Sequence, residues 1–321
     1  MPGAPAPPSD TYDASVDPLT WLGAAAVRRL LPSLDDQLDL VADTYLAGAR
    51  GRVELPPKPG LHPREDSFLN AMPALLMDRD VVAMKWVGSY AANPTRGLPA
   101  VTGLIIVNDP DTGAPEMVMD AGEITAIRTA IASGVAVRHL AHPGWRRVAI
   151  IGYGAQGRAH ARVLRHLRPD VEVVVWGPRL TAPVDGVEVA TDARHAVDGA
   201  HIVVTSGPMS RQARPVIEVG WLADACLVLP VDYDSCVRAE ISTAADSFHV
   251  DDVAQFDSFR SRGSFVGWAR PHGSVGDALG ARPTGDLRLV CSLGVGSVDA
   301  VIAGAVRDRE RMERIGVPLT R

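Results

Sequence analysis

The sequence predicts an α/β protein in which a doubly wound parallel sheet of the Rossmann type is joined to a smaller α+β domain. The first observation is the stretch from 145 to 176, which reads as strand, glycine-rich turn, helix and strand. Its apolar runs, Val148–Ile151 and Val171–Trp176, are typical of buried parallel strands, and the helical segment Ala159–Leu167 lies between them. The second observation is the length of 321 residues with 46% apolar content, which indicates two domains.

The glycine-rich turn has G-x-G-x-x-G spacing. Gly152 permits a tight turn, Gly154 lets the backbone approach a pyrophosphate, and Gly157 lets the helix pack on the strand. Free N–H groups at the start of the helix, around Ala155 and Gln156, favour phosphate binding. These features predict a dinucleotide site, and the alternative is a glycine-rich turn that binds no ligand.

The end of the second strand predicts which dinucleotide binds. An acidic residue there would accept hydrogen bonds from the ribose 2′-OH of NAD. The chain instead continues as Trp176-Gly177-Pro178-Arg179, and Arg179 can pair with a 2′-phosphate. This favours NADP(H), with NAD(H) as the alternative; the alternative role for Arg179 is that of a solvated loop cation.

Composition narrows the class of protein. A net charge of −6 with both signs spread along the chain argues against nucleic acid or an anionic membrane as a partner. The sequence has no apolar run of membrane-spanning length, and its start lacks the features of a signal peptide. Its three cysteines follow neither a disulfide framework nor a metal-binding spacing, so we expect a cytoplasmic protein without a metal site.

Further elements follow from hydrophobic patterning and turn residues. Helical patterning begins near Leu19, after a Pro-rich arm over residues 1–18, and a helix runs from Ser33 to about Ala49. Residues 52–120 are rich in strands, and residues 256–273 read as a surface excursion. The remaining expected elements are the helix from Gly122 to Ala141, strands over Ala200–Ser206, Ala225–Pro230, Ser247–Val250 and Leu287–Leu293, and a helix from Ala300 to Ile315.

Lys85 lies between Met84 and Trp86 in a strand with apolar flanks. Burying its ammonium is unfavourable unless it meets an anion. On residue chemistry alone, Lys85 either meets an anion in the interior or points to solvent from the other face of the strand.

Several motifs together resemble the ornithine cyclodeaminase/mu-crystallin family over roughly residues 50–315. The most specific is Ile124-Thr125-Ala126-Ile127-Arg128-Thr129-Ala130. The others are Met72-Pro73-Ala74, Lys85-Trp86-Val87, Asn93-Pro94, Gly97-Leu98-Pro99, Asp111-Thr112-Gly113-Ala114-Pro115, and Asp234 with Arg238 and Glu240.

Within the family, the chain looks similar to bacterial members that are named as the second component of a tyramine oxidase. The motifs that carry this resemblance are His62-Pro63-Arg64-Glu65-Asp66, Gly220-Trp221-Leu222, Val231-Asp232-Tyr233-Asp234-Ser235, and Asp251-Asp252 with Gln255. That name adds an oxidase to the partners that the resemblance implies.

The family resemblance implies a homodimer and a division of the chain. Residues 1–18 would form a flexible arm, residues 19–122 and 300–321 a substrate-binding and dimerisation domain, and residues 123–299 the Rossmann domain. The common chemistry of the family is hydride transfer at the carbon that bears nitrogen, through an imine.

The resemblance also implies roles for individual residues. Lys85 and Arg128 match the groups that hold the substrate carboxylate, and an Arg fork fits a carboxylate in a bidentate manner. Lys58 matches a cationic substrate ligand of the alanine dehydrogenase branch, with a solvated loop lysine as the alternative. Asp234 matches the catalytic carboxylate that moves the proton on the substrate nitrogen.

On the cofactor side, the resemblance implies that Thr129, Thr205 and Ser206 contact the dinucleotide and that Asp299 lies near the nicotinamide. Asn70 departs from the family pattern. Cyclodeaminases have Glu there and alanine dehydrogenases have Arg, so a neutral amide puts both ornithine cyclisation and simple 2-oxo acid amination in doubt and indicates a different substrate.

The sequence therefore predicts an NADP(H)-dependent oxidoreductase that reduces an imine, or oxidises an amine, of an amino-acid-like substrate. One alternative is a cyclodeaminase of the ornithine or lysine type that retains NAD(P) and has no net redox change. The other is a non-catalytic NADPH-binding subunit or ligand carrier.

Overall fold

The computed structural model describes residues 18–180, 182–184, 186–208, 215–281 and 284–319. The predicted arm over residues 1–18 therefore lies, Pro18 apart, outside the described residues. The strands are β1 (Leu19–Leu22), β2 (Val53–Glu54), β3 (Gly60–Leu61), β4 (Ser67–Leu76), β5 (Val81–Tyr90), β6 (Val101–Asn108), β7 (Pro115–Asp120), β8 (Arg147–Ile151), β9 (Glu172–Trp176), β10 (Glu188–Val189), β11 (Ile202–Thr205), β12 (Cys226–Pro230), β13 (Ser247–Val250), β14 (Gly273–Ser274), β15 (Leu287–Cys291) and β16 (Val317–Leu319).

Helices cover both sheets. The α-helices are α1 (Ala24–Leu30), α2 (Leu34–Ala49), α3 (Gly122–Leu140), α4 (Ala155–Leu167), α5 (Ala193–Val197), α6 (Ala239–Ala244), α7 (Val253–Ser261), α8 (Val275–Ala281) and α9 (Gly296–Glu313). Two short 3₁₀ helices span Asn93–Arg96 and Val219–Trp221. Among the described residues, no helix has both the length and the apolar character that crossing a bilayer requires.

The first sheet is mixed and has the strand order β16-β1-β7-β6-β5-β4-β2, with β3 paired to β4. Its pairings are antiparallel except that β1 runs parallel to β7. Side chains alternate between its faces, and α9 packs on β4 and β5 on the buried face. This sheet and its helices form the expected α+β unit.

The second sheet is parallel throughout and has the order β10-β9-β8-β11-β12-β15-β13-β14. Its central strands are apolar and buried, as expected for a sheet covered on both faces. The strand order reverses between β8 and β11, and ligands bind at such switch points in open α/β sheets. The Rossmann-type prediction is confirmed, and the glycine-rich turn lies at the switch point.

Helix α3 joins the two sheet layers. It packs against α2, α4 and α9, and small residues allow this close approach. A Cβ on Gly134 would lie 2.7 Å from Val163 of α4 and 2.9 Å from Leu38 of α2. The helix that bears Arg128 is therefore fixed between the two units.

The prediction of a surface excursion at 256–273 is confirmed for most of the segment but not for three of its aromatic residues. Phe256 and Phe265 are fully buried and Trp268 is nearly so, in contact with Phe248 of the second sheet. Its Gly, Ser and Arg residues are exposed or half-buried as predicted, whereas these three aromatic residues form a core that the prediction missed.

Other corrections concern the ends of the chain. The segment at Leu19 is strand β1 rather than helix, and the last helix begins at Gly296 rather than Ala300. Strand β16 was not predicted, because it has only three residues and is defined by its pairing with the distant β1, which leaves no local sequence pattern.

Candidate active site

The glycine turn has the geometry that its three glycines predict. Gly152 has φ +95°, and a Cβ there would approach the Ser206 carbonyl oxygen to 2.6 Å. A Cβ on Gly157 would overlap the Gly152 carbonyl oxygen. No described atom lies within 4 Å of the Cβ position of Gly154, so its backbone is open to a ligand. The turn therefore fits a dinucleotide.

Helix α4 begins directly after this turn. Its N-cap is Gly154, which offers no side-chain cap, so the first amides, from Ala155 onward, can bind an anion. Gln156 donates weakly to the Thr125 carbonyl at 3.5 Å. Gln156 Oε1 and Thr125 Oγ1 are both buried without a hydrogen-bond partner among the described residues. Thr125, one turn before Thr129 on α3, was not among the predicted site residues.

The end of β11 lies beside the turn. Thr205 is fully buried, and its hydroxyl donates to Asp232 at 2.6 Å. Asp232 also accepts from Gly207 N at 2.7 Å, and burial raises its pKa. The Ser206 hydroxyl donates to the Gly152 carbonyl at 2.7 Å. These bonds fix the edge of the switch point, while cofactor contacts of Thr129, Thr205 and Ser206 stay predictions.

Lys85 is completely buried and meets an anion. Its ammonium nitrogen lies 2.6 Å from Asp299 Oδ1, so the interior alternative is the one observed. Lys85 pairs with Met72 on β4 and Ile105 on β6, and this face of the sheet packs on α9, which carries Asp299. The compensating carboxylate thus comes from the protein itself.

Arg128 shares that carboxylate. Its Nε lies 3.3 Å from Asp299 Oδ1 and its side chain is 11% exposed, but the two groups lack hydrogen-bond alignment. Asp299 Oδ2 is buried with no hydrogen-bond partner among the described residues. Buried polar atoms are normally hydrogen-bonded, so these two groups are poised to meet a ligand.

Lys58 is also buried, and this excludes a solvated loop lysine. Its Nζ donates to the carbonyls of Leu293 at 2.5 Å and Gly294 at 3.0 Å and to the Tyr233 hydroxyl at 3.1 Å. The ammonium lies 5.2 Å from the ring centroid of Phe259 and 5.6 Å from that of Tyr233. Three acceptors match the three hydrogens of an ammonium.

Lys58 and Lys85 are the only two lysines in the sequence, so the other 30 of its 32 basic residues are arginines. Burial, together with the Arg128 charge, lowers the pKa of each lysine to about 7, although Asp299 opposes the shift. A lysine can lose its proton in such a site, and an arginine cannot. The chain retains lysine only where its cation is buried.

Asp251 is the second carboxylate in this region. It accepts from Leu293 N and Gly294 N, and burial raises its pKa to about 6 although these bonds and Lys58 oppose the shift. With all groups ionised, three cations face two carboxylates. The surplus positive charge favours one additional anion.

Asp234 lies in the turn that follows β12. It is half-buried, and its Oδ2 accepts from Phe265 N at 2.7 Å. Both Tyr233 and Phe265 have left-handed backbones, with φ +63° and +56°, which is uncommon for bulky residues and marks a constrained turn. Asp234 follows Tyr233, whose hydroxyl contacts Lys58, and its proton-transfer role stays a prediction.

Asn70 and Arg179 complete the predicted set. Asn70 is on β4, on the same face as Met72 and therefore as Lys85. A Cβ on Gly60 would lie 2.5 Å from its Oδ1. Arg179 is exposed after β9, so a 2′-phosphate could reach it. Substrate and cofactor contacts of these residues stay predictions.

Sequence reasoning missed the contributions of Asp251, Tyr233 and Gln255. The Gln255 side chain accepts from the Lys58 amide at 2.8 Å. Asp251 follows β13 at the carboxyl edge of the sheet, and that position was the available signal.

The fold and the glycine turn define a protein of the dinucleotide-binding α/β class with a buried cationic site beside the nucleotide edge. The sequence model of the ornithine cyclodeaminase/mu-crystallin family matches residues 22–247, and the chain belongs to this family.

Known proteins extend the comparison over about nine-tenths of the chain. The nodulation efficiency protein NfeD of Rhizobium meliloti is 34% identical over 309 residues, covering 91% of this chain and 96% of that protein. Alanine dehydrogenase of Archaeoglobus fulgidus is 27% identical over 308 residues, covering 89% and 94%. A solved archaeal alanine dehydrogenase dimer with bound NAD superposes with a TM-score of 0.82 at 27% identity, covering 94% of this chain and 99% of that one. Family members include oxidoreductases and cyclodeaminases.

Proposed function

We propose that this protein is an NADP(H)-dependent oxidoreductase that acts on the C–N bond of an amino-acid-like substrate, by imine reduction or amine oxidation. The observation that carries the proposal is the buried group of Lys58, Lys85 and Arg128, whose three positive charges, when all groups are ionised, outnumber the two negative charges of Asp299 and Asp251. One substrate carboxylate would balance the surplus. The similarity to an alanine dehydrogenase supports the same substrate class.

Each residue would then have a defined task. The unaligned Arg128 guanidinium would turn to the substrate carboxylate, with Lys85 adding positive charge beside it. The amides after Gly154 would hold the pyrophosphate, and the bound nicotinamide supplies or accepts hydride. Asp234 would hold or release the proton on the substrate nitrogen. Burial of the cluster excludes water and strengthens these electrostatic interactions.

The activity test is NADPH consumption against a panel of cyclic and acyclic imines, with ornithine and lysine assayed for ammonia release. Steady NADPH loss that disappears in Asp234→Asn and Lys85→Met supports the proposal. Ammonia release without net cofactor turnover would replace it with the cyclodeaminase alternative. Tight NADPH binding with neither activity would replace it with a non-catalytic NADPH-binding protein or carrier.

Preference for NADP(H) is the second part of the proposal. Exposed Arg179 after β9 and the absence of an acid at that position support it. We expect Arg179→Asp to weaken NADPH binding by about tenfold to a hundredfold, and NADH binding by much less. The control is Arg194→Asp, an exposed arginine on α5. Equal losses for both cofactors would refute the role of Arg179.

The third part of the proposal is that the protein forms a homodimer. The outer face of the first sheet exposes Trp86 (37%) opposite Leu104 (41%), continued by the half-buried Met84, Ile106 and Val118. Such a contiguous apolar face is typical of an interface. Trp86→Asp should yield monomers in light scattering, whereas Val266→Asp, a distant site that is 78% exposed, should not. A monomeric parent protein would refute this part.

A cytoplasmic location is also proposed, supported by three free cysteines. Cell fractionation that recovers the protein outside the cytoplasm would refute it. A partner oxidase is implied only by the branch resemblance, and co-purification with an amine oxidase tests it.

A further inference from the structure

The turn at Leu293 and Gly294, between β15 and α9, contacts three groups of the candidate site. The Leu293 carbonyl accepts from Lys58 at 2.5 Å and from the Tyr233 hydroxyl at 3.1 Å, and the Gly294 carbonyl accepts from Lys58 at 3.0 Å. Gly294 has φ +72°, and a Cβ there would lie 2.9 Å from Arg128 Nη1. The conformation of this turn therefore fixes where Lys58 sits and how much room Arg128 has.

Asp251 holds the same turn by its amides. Leu293 N donates to Oδ1 at 2.9 Å and to Oδ2 at 3.0 Å, and Gly294 N donates to Oδ2 at 2.8 Å. The turn is thus bound on its carbonyl side by a cation and on its amide side by a carboxylate. Charge-assisted hydrogen bonds of this kind are stronger than neutral ones.

A second aspartate also accepts hydrogen bonds from two consecutive backbone amides, at the other end of β15 and away from the site. Asp246 precedes β13, as Asp251 follows it, and its Oδ2 accepts from Asp286 N at 2.8 Å and Leu287 N at 3.0 Å at the start of β15. The exposed Asp246 has its pKa lowered by these backbone bonds, whereas burial raises that of Asp251. A carboxylate can therefore join these two strands without desolvation, and the buried Asp251 incurs a penalty that Asp246 avoids.

We propose that Asp251 is a positioning residue of the candidate active site, which fixes the Leu293–Gly294 turn and through it places the Lys58 ammonium and the space beside Arg128. Its effect on catalysis rests on the proposed function, whereas the placement of Lys58 does not.

The test uses the two lysines as probes. The full-length protein is treated with trace acetic anhydride at about pH 7, and acetylation of Lys58 and Lys85 is followed by mass spectrometry. We compare the parent protein with Asp251→Asn and with the matched control Asp246→Asn. Only a neutral, accessible amine reacts.

We expect Asp251→Asn to accelerate Lys58 acetylation by about tenfold or more, with Lys85 within about twofold of the parent. The NH₂ group of Asn is a donor and cannot accept a hydrogen bond from a backbone N–H, as the second carboxylate oxygen of Asp251 does. The turn therefore shifts, and its carbonyls no longer hold the Lys58 ammonium. Loss of the Asp251 charge also favours the neutral amine. Asp246→Asn should leave Lys58 labelling within about twofold, even where it lowers the melting temperature.

Two results would overturn the inference. One is equal Lys58 labelling in Asp251→Asn and the parent protein. The other is acceleration at Lys58 and Lys85 together, or in both variants alike, because this would show general loosening. If Asp251→Asn does not fold, Gly294→Ala is used instead, because it displaces the turn and leaves Asp251 intact. Unchanged Lys58 labelling in that variant would also overturn the inference.

Steady-state kinetics distinguish positioning from a merely structural role of Asp251, because a structural role would not raise KM selectively. With an imine that the parent protein reduces, Asp251→Asn should raise KM by about tenfold while kcat falls by less than about threefold. Equal losses in both Asp variants would count against positioning. If the parent protein reduces no imine, the proposed function fails, and the labelling result still decides the role of Asp251.

Discussion

The two lysines occupy similar depths and have pKa values lowered to about 7, yet their surroundings differ in kind. Lys85 lies in the centre of strand β5 and meets the carboxylate of Asp299. Lys58 lies in a loop before β3 and meets two carbonyls, a phenol and two aromatic rings. Burial is the largest cause of the lowered pKa in both cases, whereas the partners decide which groups are left without a contact when the lysine side chain is removed.

This difference separates two tasks. An ion pair inside a rigid sheet is hard to break, because removing one charge strands the other. Carbonyls and rings are neutral, and they can lose a cation without leaving an uncompensated charge. We therefore expect replacement of Lys85 to destabilise the fold more than replacement of Lys58.

The largest expected difference is in stability. Lys85→Met should lower the free energy of unfolding by about 3 kcal/mol, because Asp299 keeps only the unaligned Arg128. Lys58→Met should lower it by about 1 to 2 kcal/mol, because neutral acceptors are left behind. Urea denaturation measures both. Equal losses would remove the distinction between the two lysines.

The pH dependence of stability gives the second comparison. Each lysine has a folded pKa of about 7 against 10.5 unfolded, so between these values the unfolded chain binds more protons and stability rises with pH. The slope is at most about 1.4 kcal/mol per pH unit for each lysine. Asp251 acts oppositely: its pKa is raised from 3.8 to about 6, so its contribution is present below 3.8 and is lost as the pH rises through 6.

These windows predict a minimum of stability between about pH 6 and 7 from the three groups together. The measurement is urea denaturation across pH 4 to 9 for the parent protein and for the double variant Lys58→Met with Lys85→Met. The rise above pH 7 should be weaker in the double variant. An unchanged rise would show that other groups cause it.

The smallest effect concerns the phenol beside Lys58. Tyr233→Phe removes one acceptor of the ammonium and one donor to Leu293, so it should lower the free energy of unfolding by about 1 kcal/mol. It should also accelerate acetylation of Lys58 and leave Lys85 unchanged. Tyr90→Phe, at the far end of β5, is the control. A faster reaction at Lys85 alone would contradict the assignment.

The sequence predicted the features whose cause is local. The glycine turn follows from three glycines between apolar runs, and the burial of Lys85 follows from its apolar neighbours as one of two alternatives. The hydrogen-bond partners of the two lysines could not be predicted from the sequence, because Asp299 is 214 residues from Lys85 and Leu293 is 235 residues from Lys58. Such pairs are brought together by the packing of α9 and the two sheets, which no local pattern contains.

Composition also did not indicate which residues of 256–273 pack in the interior. Residues 256–273 combine polar and aromatic side chains, and the polar ones suggested a surface segment. The rings of Phe256, Phe265 and Trp268 pack on one another within a buried cluster. Aromatic side chains bury large areas, so a few of them outweigh many small polar neighbours.

The pairing of β1 with β16 has a consequence for how the chain is made. Strand β16 ends at Leu319, and α9 brings Asp299 to Lys85, so the first sheet is completed by segments that are synthesised after every strand of the parallel sheet. The strands of the parallel sheet all lie between Arg147 and Cys291 and can assemble earlier. Although strand β1 precedes the parallel sheet in the chain, the first sheet is thus completed after it, and Lys85 acquires its carboxylate only once α9 has been synthesised.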